Sequence, residues 1–327
     1  MSVDIERDQS KMEDVQAGNP ISSLGYRPLD DEAPNWLREI SRFLSLRSQF
    51  VLSGNINDLV LMPVGDQASL LTLLSAVDTL LEVSGYNFLL CYDPLDHFVV
   101  VAPAHRMETA IAAVRDATGL NFDETGYAKV SLKRVLSDKV LQRFVTASGF
   151  RGGLVIENVA RMSDEDSLSL FESAIILSQI APRLEMRDGL ARFNPIFWAV
   201  GDISKIPQWF IPNNDLIMNQ VISIPNREIR SRLVSVLGPG IVGWNDLVEE
   251  KREQLVNDFS RATDGFTISA IVSITTLARD QGHKFENILD AVGLYEAGVT
   301  ENLREDSSIH EYIDSRSRTQ ERDSQAS

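Results

Sequence analysis

The chain has 327 residues, of which 43% are hydrophobic, and its formal net charge is −16. This length and composition allow a sizeable buried core. Phosphate backbones and anionic lipids attract basic patches, so a chain this acidic is a poor candidate for binding nucleic acid or a membrane surface. Its single cysteine, Cys91, lies in an apolar run and leaves no partner for an intrachain disulfide.

Both ends of the chain are polar and lack the apolar periodicity of a folded segment. Residues 1–32 are acidic and residues 299–327 are polar, so both are predicted to be disordered tails. The N-terminus does not resemble a secretory signal. No apolar run approaches the roughly 20 residues that span a bilayer. We therefore expect a soluble cytoplasmic protein.

Helices and short strands alternate from residue 34 onwards. The predicted helices before the C-terminal region cover residues 34–46, 69–83, 105–118, 130–148 and 163–179. Predicted strands in the first half cover residues 49–52, 87–92 and 98–101. Apolar residues in the helices recur at spacings of three and four, which is typical of one buried face. Residues 56–67, 120–129 and 182–195 are predicted to be loops.

Three short apolar runs are predicted to be central parallel strands. They are Leu154–Ile156, Ile196–Val200 and Val221–Ile224, and polar residues follow each of them. Ligands of such sheets bind at the carboxyl ends of the strands. The residues after the strands, Glu157-Asn158 and Asp202, are therefore candidate site residues.

Beyond Pro225 the pattern is helical throughout. Amphipathic helices are predicted over residues 227–237, 244–262, 267–280 and 285–296, and glycine-containing turns separate them. Four short helices fit a small bundle appended to a sheet domain. The predicted organisation is a tail over 1–32, an α/β core over 33–226, a helical domain over 227–298 and a tail over 299–327.

The order of these elements resembles the AAA+ ATPase module of the P-loop NTPase superfamily. Gly153–Asn158 is similar to the Walker B strand, Pro195–Asp202 to the sensor 1 strand, Val221–Arg230 to the entry into the lid and Ala262–Ala270 to the helix start near sensor 2. The resemblance implies a parallel five-stranded sheet with helices on both faces, followed by a four-helix lid. Phe50–Leu59 also resembles the opening of the degenerate N-terminal module, without Walker A, of some bacterial tandem AAA-type ATPases.

The phosphate-binding residues of that family are not found at the matching positions. ATP hydrolysis needs a G-x-x-x-x-G-K-[ST] loop after the first strand. Here Gly54 and Asn55 follow that strand, and no lysine occurs between Met12 and Ala128. Asp58, in the same loop, would repel a triphosphate. The loop therefore predicts a degenerate Walker A.

The other motifs that ATP hydrolysis needs differ from the family pattern as well. Glu157-Asn158 replaces the Walker B acidic pair, and Asn158 has no basic carboxylate to activate water. Asp202 lies near the sensor 1 position, and no arginine occurs in residues 215–220, where an arginine finger is expected. Gly54, Asn55, Glu157, Asn158 and Asp202 are therefore predicted to be vestigial positions, without a catalytic residue or a metal ligand.

Phe122 and Tyr127 precede the Walker-B-like strand, where AAA+ rings place pore loops. The resemblance implies a pore or interface loop there, and packing of this loop on a neighbouring element is the alternative. The four histidines are scattered and have no metal-ligand spacing.

These observations predict a catalytically inactive AAA+-like subunit that has a structural or regulatory role and binds no cofactor. Its expected protein partner is an active AAA ATPase or a second copy of itself. One alternative is a divergent ATPase that remodels a protein substrate, in which Gly54 and the amides of residues 55–57 hold phosphate and Glu157 holds Mg²⁺. The other alternative is a peptide-binding adaptor that uses its tails or its lid.

Overall fold

The computed structural model describes residues 29, 32–64, 67–94 and 97–298. Within these ranges the chain divides into two compact units. The sheet unit comprises Asn35–Ser53 and Val77–Gln220, and the helical unit comprises Glu32–Pro34, Gly54–Ala76 and residues 221–298. Except for residues 29 and 32, the two predicted tails lie outside the described ranges.

Eleven strands and ten α-helices are described. The strands are β1 (Gln49–Gly54), β2 (Val60–Val64), β3 (Gln67–Leu71), β4 (Phe88–Asp93), β5 (His97–Val101), β6 (Tyr127–Lys129), β7 (Gly152–Ile156), β8 (Leu184–Glu185), β9 (Ala191–Arg192), β10 (Ile196–Gly201) and β11 (Ile217–Ile222). The helices are α1 (Asn35–Phe43), α2 (Leu73–Val83), α3 (Met107–Thr118), α4 (Leu132–Ser137), α5 (Val140–Thr146), α6 (Asp164–Ile180), α7 (Arg227–Leu237), α8 (Glu249–Ala262), α9 (Ile268–Asp280) and α10 (288–298).

Seven of the strands form one sheet, in the order β11-β1-β10-β7-β4-β5-β6. The pairs β1–β10, β10–β7 and β7–β4 are parallel, and β4–β5 and β5–β6 are antiparallel. The prediction of five strands, all parallel, is therefore wrong. A parallel return needs a crossover of a dozen or more residues, and only three residues separate β4 from β5, so β5 folds back antiparallel.

An aromatic core joins β10 to α6. The Trp198 ring lies 5.0 Å from Phe171 and 5.6 Å from Phe210, measured between ring centroids. The Trp198 indole N–H donates to the Gln49 side-chain oxygen at 2.9 Å, and the Gln49 amide donates to the Ala174 carbonyl at 2.7 Å. These bonds satisfy a buried glutamine at the start of β1 and fix β1 against β10 and α6.

Several boundaries differ from the prediction. Residues 56–67 were expected to be a loop, but β2 and β3 pair there as an antiparallel hairpin, and α2 begins only at Leu73. The last strand of the sheet ends at Ile222 rather than Ile224 and begins earlier, at Ile217. The predicted helix over 130–148 is divided into α4 and α5 at Lys139, which has a left-handed φ of 53°. The predicted loops over 120–129 and 182–195 contain short strands.

Two helix ends agree with the sequence signals. The Ser163 side chain caps α6, which is predicted from residue 163, by accepting from the Asp166 N–H. Gly119 ends α3 in the left-handed conformation, with φ of 74°. Local capping residues therefore determine these two boundaries.

Helices α7–α10 and the β2–β3 hairpin build the core of the helical unit. Its buried members include Leu61 of β2 together with Leu233, Phe259, Ile271, Ile274 and Phe285. Arg230 is 4% exposed, and its guanidinium donates to the carbonyls of Pro225 and Ser260 and to the carboxylate of Asp264, at 2.7–3.0 Å. The hairpin packs on the C-terminal helices because Leu61 and its partly buried neighbours supply an apolar face to their core.

Candidate functional site

The loop after β1 turns sharply at Gly54. Gly54 has a φ of +91°, and a Cβ at this position would lie 2.5 Å from the carbonyl oxygen of Ile222. The next amide, of Asn55, donates to that same oxygen at 2.8 Å, and the Ile56 amide donates to the Gly54 carbonyl at 2.9 Å. The turn therefore needs glycine, and it uses both of the amides that follow.

Asp58 lies in this loop and is 7% exposed. Its carboxylate accepts from the backbone N–H groups of Ile268 and Ser269 and from the Ser269 hydroxyl, each at 2.8 Å. It also accepts from the Leu59 N–H and from the Asn55 side-chain amide, again at 2.8 Å. We call these five residues the Asp58 cluster.

The Asp58 cluster places a carboxylate at the start of α9. The first N–H groups of a helix have no partner within the helix, and the helix dipole favours negative charge there. Thr267 caps α9 locally by accepting from the Ala270 N–H at 3.1 Å, and Asp58 takes the Ile268 and Ser269 N–H groups. Partial burial raises the pKa of Asp58, but the hydrogen bonds from Ser269 and Ile268 outweigh it and lower the pKa below its ordinary value.

Glu157 follows β7 and is half-buried. Its carboxylate accepts from the Cys91 thiol, with a distance of 3.0 Å between sulfur and oxygen. Burial, and then the nearby Glu157 carboxylate, raise the pKa of the Cys91 thiol well above its ordinary value. The thiol therefore stays protonated and donates, and one Glu157 oxygen is committed to a contact within the sheet unit.

The backbone conformation at position 158 favours asparagine. Its φ of 57° and ψ of 17° place it in the left-handed region, which asparagine tolerates better than most side chains. Its side-chain amide donates to the Asp93 carboxylate at 2.9 Å, and its carbonyl accepts from the Arg161 N–H. The residue forms the turn after β7 and links it to the end of β4.

Asp202 follows β10 and is exposed. Its carboxylate accepts from the Ser204 N–H at 2.9 Å and caps a short 3-10 turn. This backbone hydrogen bond, with the Ser204 side chain, lowers the pKa of Asp202. Asp202 thus has a local role in the turn after its strand.

Phe122 and Tyr127 occupy different environments. Phe122 is 8% exposed and belongs to the core of the sheet unit. Tyr127 begins β6, and its ring stacks on His97 with 5.0 Å between the centroids. Packing within the sheet unit accounts for both contacts, and the pore or interface role of this loop stays a prediction.

Sequence reasoning did not find the roles of Asp58 and Asp93. From the sequence, Asp58 is only a charge that opposes a triphosphate, and no contact of Asp93 is predicted. The polar start of α9, with Thr267 and Ser269, was the one signal that pointed to a cap. Nothing in the sequence indicates that the additional cap comes from a residue about 210 positions earlier.

The loop after β1 does not fit Mg-ATP. A phosphate-binding loop offers free amides, a lysine and a hydroxyl. Here the amides of residues 55 and 56 have backbone partners, no lysine or arginine occurs in residues 54–76, and a carboxylate occupies the helix start. In the described ranges, no group of three or more His, Cys, Asp or Glu side chains could hold a metal ion.

The family model described as "AAA+ chaperone, N-terminal Rossmann-like domain" matches residues 27–225, which is more than half of the chain. The chain therefore belongs to this AAA+ family. A comparison with curated proteins finds no match.

Two solved structures are similar to this chain in fold. The crystal structure of the FIGL-1 AAA domain in complex with ADP is 8% identical in sequence, with a TM-score of 0.43, over 89% of this chain and 92% of that chain. A katanin structure that addresses the basis of its self-assembly is 12% identical, with a TM-score of 0.38, over 71% of this chain and 58% of that chain. Among the described residues, no helix is both long and apolar enough to cross a membrane.

Proposed function

We propose that this protein is a catalytically inactive AAA+ subunit with a structural or regulatory role in a larger assembly. The observation that carries the proposal is the position of Asp58, whose carboxylate is bonded to the start of α9 from the loop where the family holds phosphate. A fixed negative charge in that loop opposes a triphosphate, because like charges in a partly buried site are screened weakly.

The end of β7 supports the same proposal. Glu157 accepts from the Cys91 thiol, and Asn158 donates to Asp93, so both residues of the Walker-B-like pair have partners within the sheet unit. Asn158 cannot accept a proton from water. These contacts favour a structural role for the pair over activation of a nucleophile.

The divergent ATPase is the weaker alternative. It requires the amides of residues 55–57 to hold phosphate, and two of these amides donate to the carbonyls of Ile222 and Gly54. A phosphate would have to displace both bonds and the Asp58 carboxylate. No observation favours this function over the inactive subunit.

We further propose the domain arrangement that the sequence predicts for residues 1–327. Residues 33–226 form the AAA+ core and residues 227–298 the four-helix lid, between tails over 1–32 and 299–327. The protein is cytoplasmic and binds neither nucleic acid nor membrane. Its partner is an active AAA ATPase or a second copy of the chain, which it contacts through the surfaces that AAA+ modules use in rings.

Isothermal titration calorimetry of the full chain with Mg-ATP and with Mg-ADP tests the absence of nucleotide binding. We expect no saturable heat, because the loop after β1 has no lysine or arginine and contains the Asp58 carboxylate. Dissociation constants in the micromolar range would overturn the proposal. Asp58→Asn, which removes the charge and keeps the size, is the matched variant that reports whether the charge excludes nucleotide.

An ATPase assay with and without candidate partners separates the alternatives. Turnover by the purified protein that is lost in Glu157→Gln would establish a divergent ATPase.

A co-purification from the native host identifies the partner. Loss of that partner after deletion of residues 1–32 and 300–327 would indicate an adaptor that acts through its tails.

A further inference from the structure

The described part of the segment 54–71, which is residues 54–64 and 67–71, contacts the C-terminal helices in two ways. The hairpin packs its apolar face into their core, where Leu61 is 7% exposed and Leu59, Ala68 and Leu70 are partly buried. At the base of the hairpin, Asp58 bonds to the start of α9. One contact is apolar and not directional, and the other is polar with defined geometry.

The polar contact joins residues that are far apart in sequence, and both oxygens of the Asp58 carboxylate accept hydrogen bonds in it. Asp58 and its partners Ile268 and Ser269 are 210 and 211 positions apart. All five donors in the Asp58 cluster are uncharged, and the Asn55 amide holds the second carboxylate oxygen from within the loop itself. Thr267 already caps α9, so Asp58 is not the only cap of that helix. The bonds of Asp58 also hold the loop after β1 in place against the start of α9.

We propose that Asp58 makes the segment 54–71 and the C-terminal helices one cooperative folding unit. The hairpin alone is two strands, and isolated two-stranded hairpins are marginally stable in water. The carboxylate adds the directional contact that sets its position on the helices. This inference concerns the helical unit by itself. Nucleotide binding by the wild-type protein would overturn the proposed function, but it would not affect the inference about Asp58.

Hydrogen–deuterium exchange of the full chain tests this proposal. In Asp58→Ala we expect exchange to accelerate about tenfold both in the hairpin, residues 60–71, and at the start of α9, because bonds to a charged acceptor are lost. Ser269→Ala removes one donor and should give a smaller change in the same two places. Ser235→Ala, an exposed serine on α7 that bonds only within its own helix, is the control and should change neither.

The pattern of exchange decides between a joint unit and a local cap. Acceleration at α9 alone, with the hairpin unchanged, would mean that Asp58 is only a cap and would overturn the proposal. Unchanged exchange at both places would overturn it as well. If Asp58→Ala does not fold, Asp58→Asn and Ser269→Ala decide by the same criterion. Peptides from β7 in the sheet unit serve as the internal reference.

Discussion

The turns after β1 and β10 each contain an aspartate whose pKa is lowered by backbone N–H donors. Asp202 takes its donor from Ser204, two positions away, and remains exposed. Asp58 takes three of its five donors from Ile268 and Ser269, more than 200 positions away, and is 7% exposed. A local bond of this kind can also form in an unfolded chain, and a long-range bond exists only in the folded protein. The same chemistry therefore stabilises one turn in the first case and a tertiary contact in the second.

Replacement of Asp58 by alanine is expected to have the largest effect. It leaves the Ile268 and Ser269 N–H groups at the start of α9 without their carboxylate acceptor, which should lower the free energy of unfolding by about 3 kcal/mol. Urea unfolding followed by far-ultraviolet circular dichroism measures the loss. Asp202→Ala is the control and should not move the urea midpoint measurably. Equal losses in the two variants would contradict the distinction between a local and a long-range carboxylate.

Gly54→Ala tests the turn that leads into the Asp58 cluster. A side chain there would have a φ of +91° and a Cβ 2.5 Å from the Ile222 oxygen. We expect a loss of about 2 kcal/mol, from the left-handed conformation and the displaced β11 end. Calorimetric melting measures it. Gly240→Ala is the control, since a Cβ at Gly240 meets nothing within 4 Å, and a melting point as low as that of Gly54→Ala would refute this explanation.

Asn158 tests the turn after β7 in the sheet unit. Asn158→Ala should lose about 1 kcal/mol, because alanine tolerates the left-handed region less well and cannot donate to Asp93. Asn158→Gly keeps the backbone conformation accessible and should lose less. Urea unfolding of the two variants gives the comparison. Equal losses in the two variants would mean that the Asp93 bond, which both variants lack, and not the backbone conformation, determines this residue.

The pH dependence of the Asp58 contribution is expected to be the smallest effect in the usual pH range. Since its folded pKa lies below the ordinary value of 3.8, the ionised carboxylate stabilises the fold above that value and the contribution is lost as the pH falls below it. Its donors, the N–H groups of three residues, the Ser269 hydroxyl and the Asn55 amide, do not titrate. The stability difference between the wild type and Asp58→Asn should therefore be constant from about pH 7 to pH 5 and shrink towards pH 3. A difference that grows on acidification would have the wrong sign for this model of Asp58.

Most helices and the central strands were predictable because their signals are local. Ser163 and Gly119 are capping residues next to the ends they determine, and the apolar run of β7 agrees with its buried strand. The β2–β3 hairpin was missed because its stability comes from packing on helices that lie more than 150 residues later in the chain. The sequence predicts a strand at residues 98–101, where β5 lies, but an isolated short strand does not indicate its direction. The strand β6 lies in a predicted loop, and only the fold adds it to the sheet.

The sequence by itself determined the family, the alternation of strands and helices, and the absence of a phosphate-loop lysine, because each of these is a property of neighbouring residues or of their order. It also identified Glu157, Asn158 and Asp202 as residues at strand ends. Only the tertiary structure decided what these residues and Asp58 contact. Hydrogen bonds between distant segments depend on how the chain returns to itself, and the carboxylate of Asp58 meets the start of α9 only after folding brings positions 58 and 268 together.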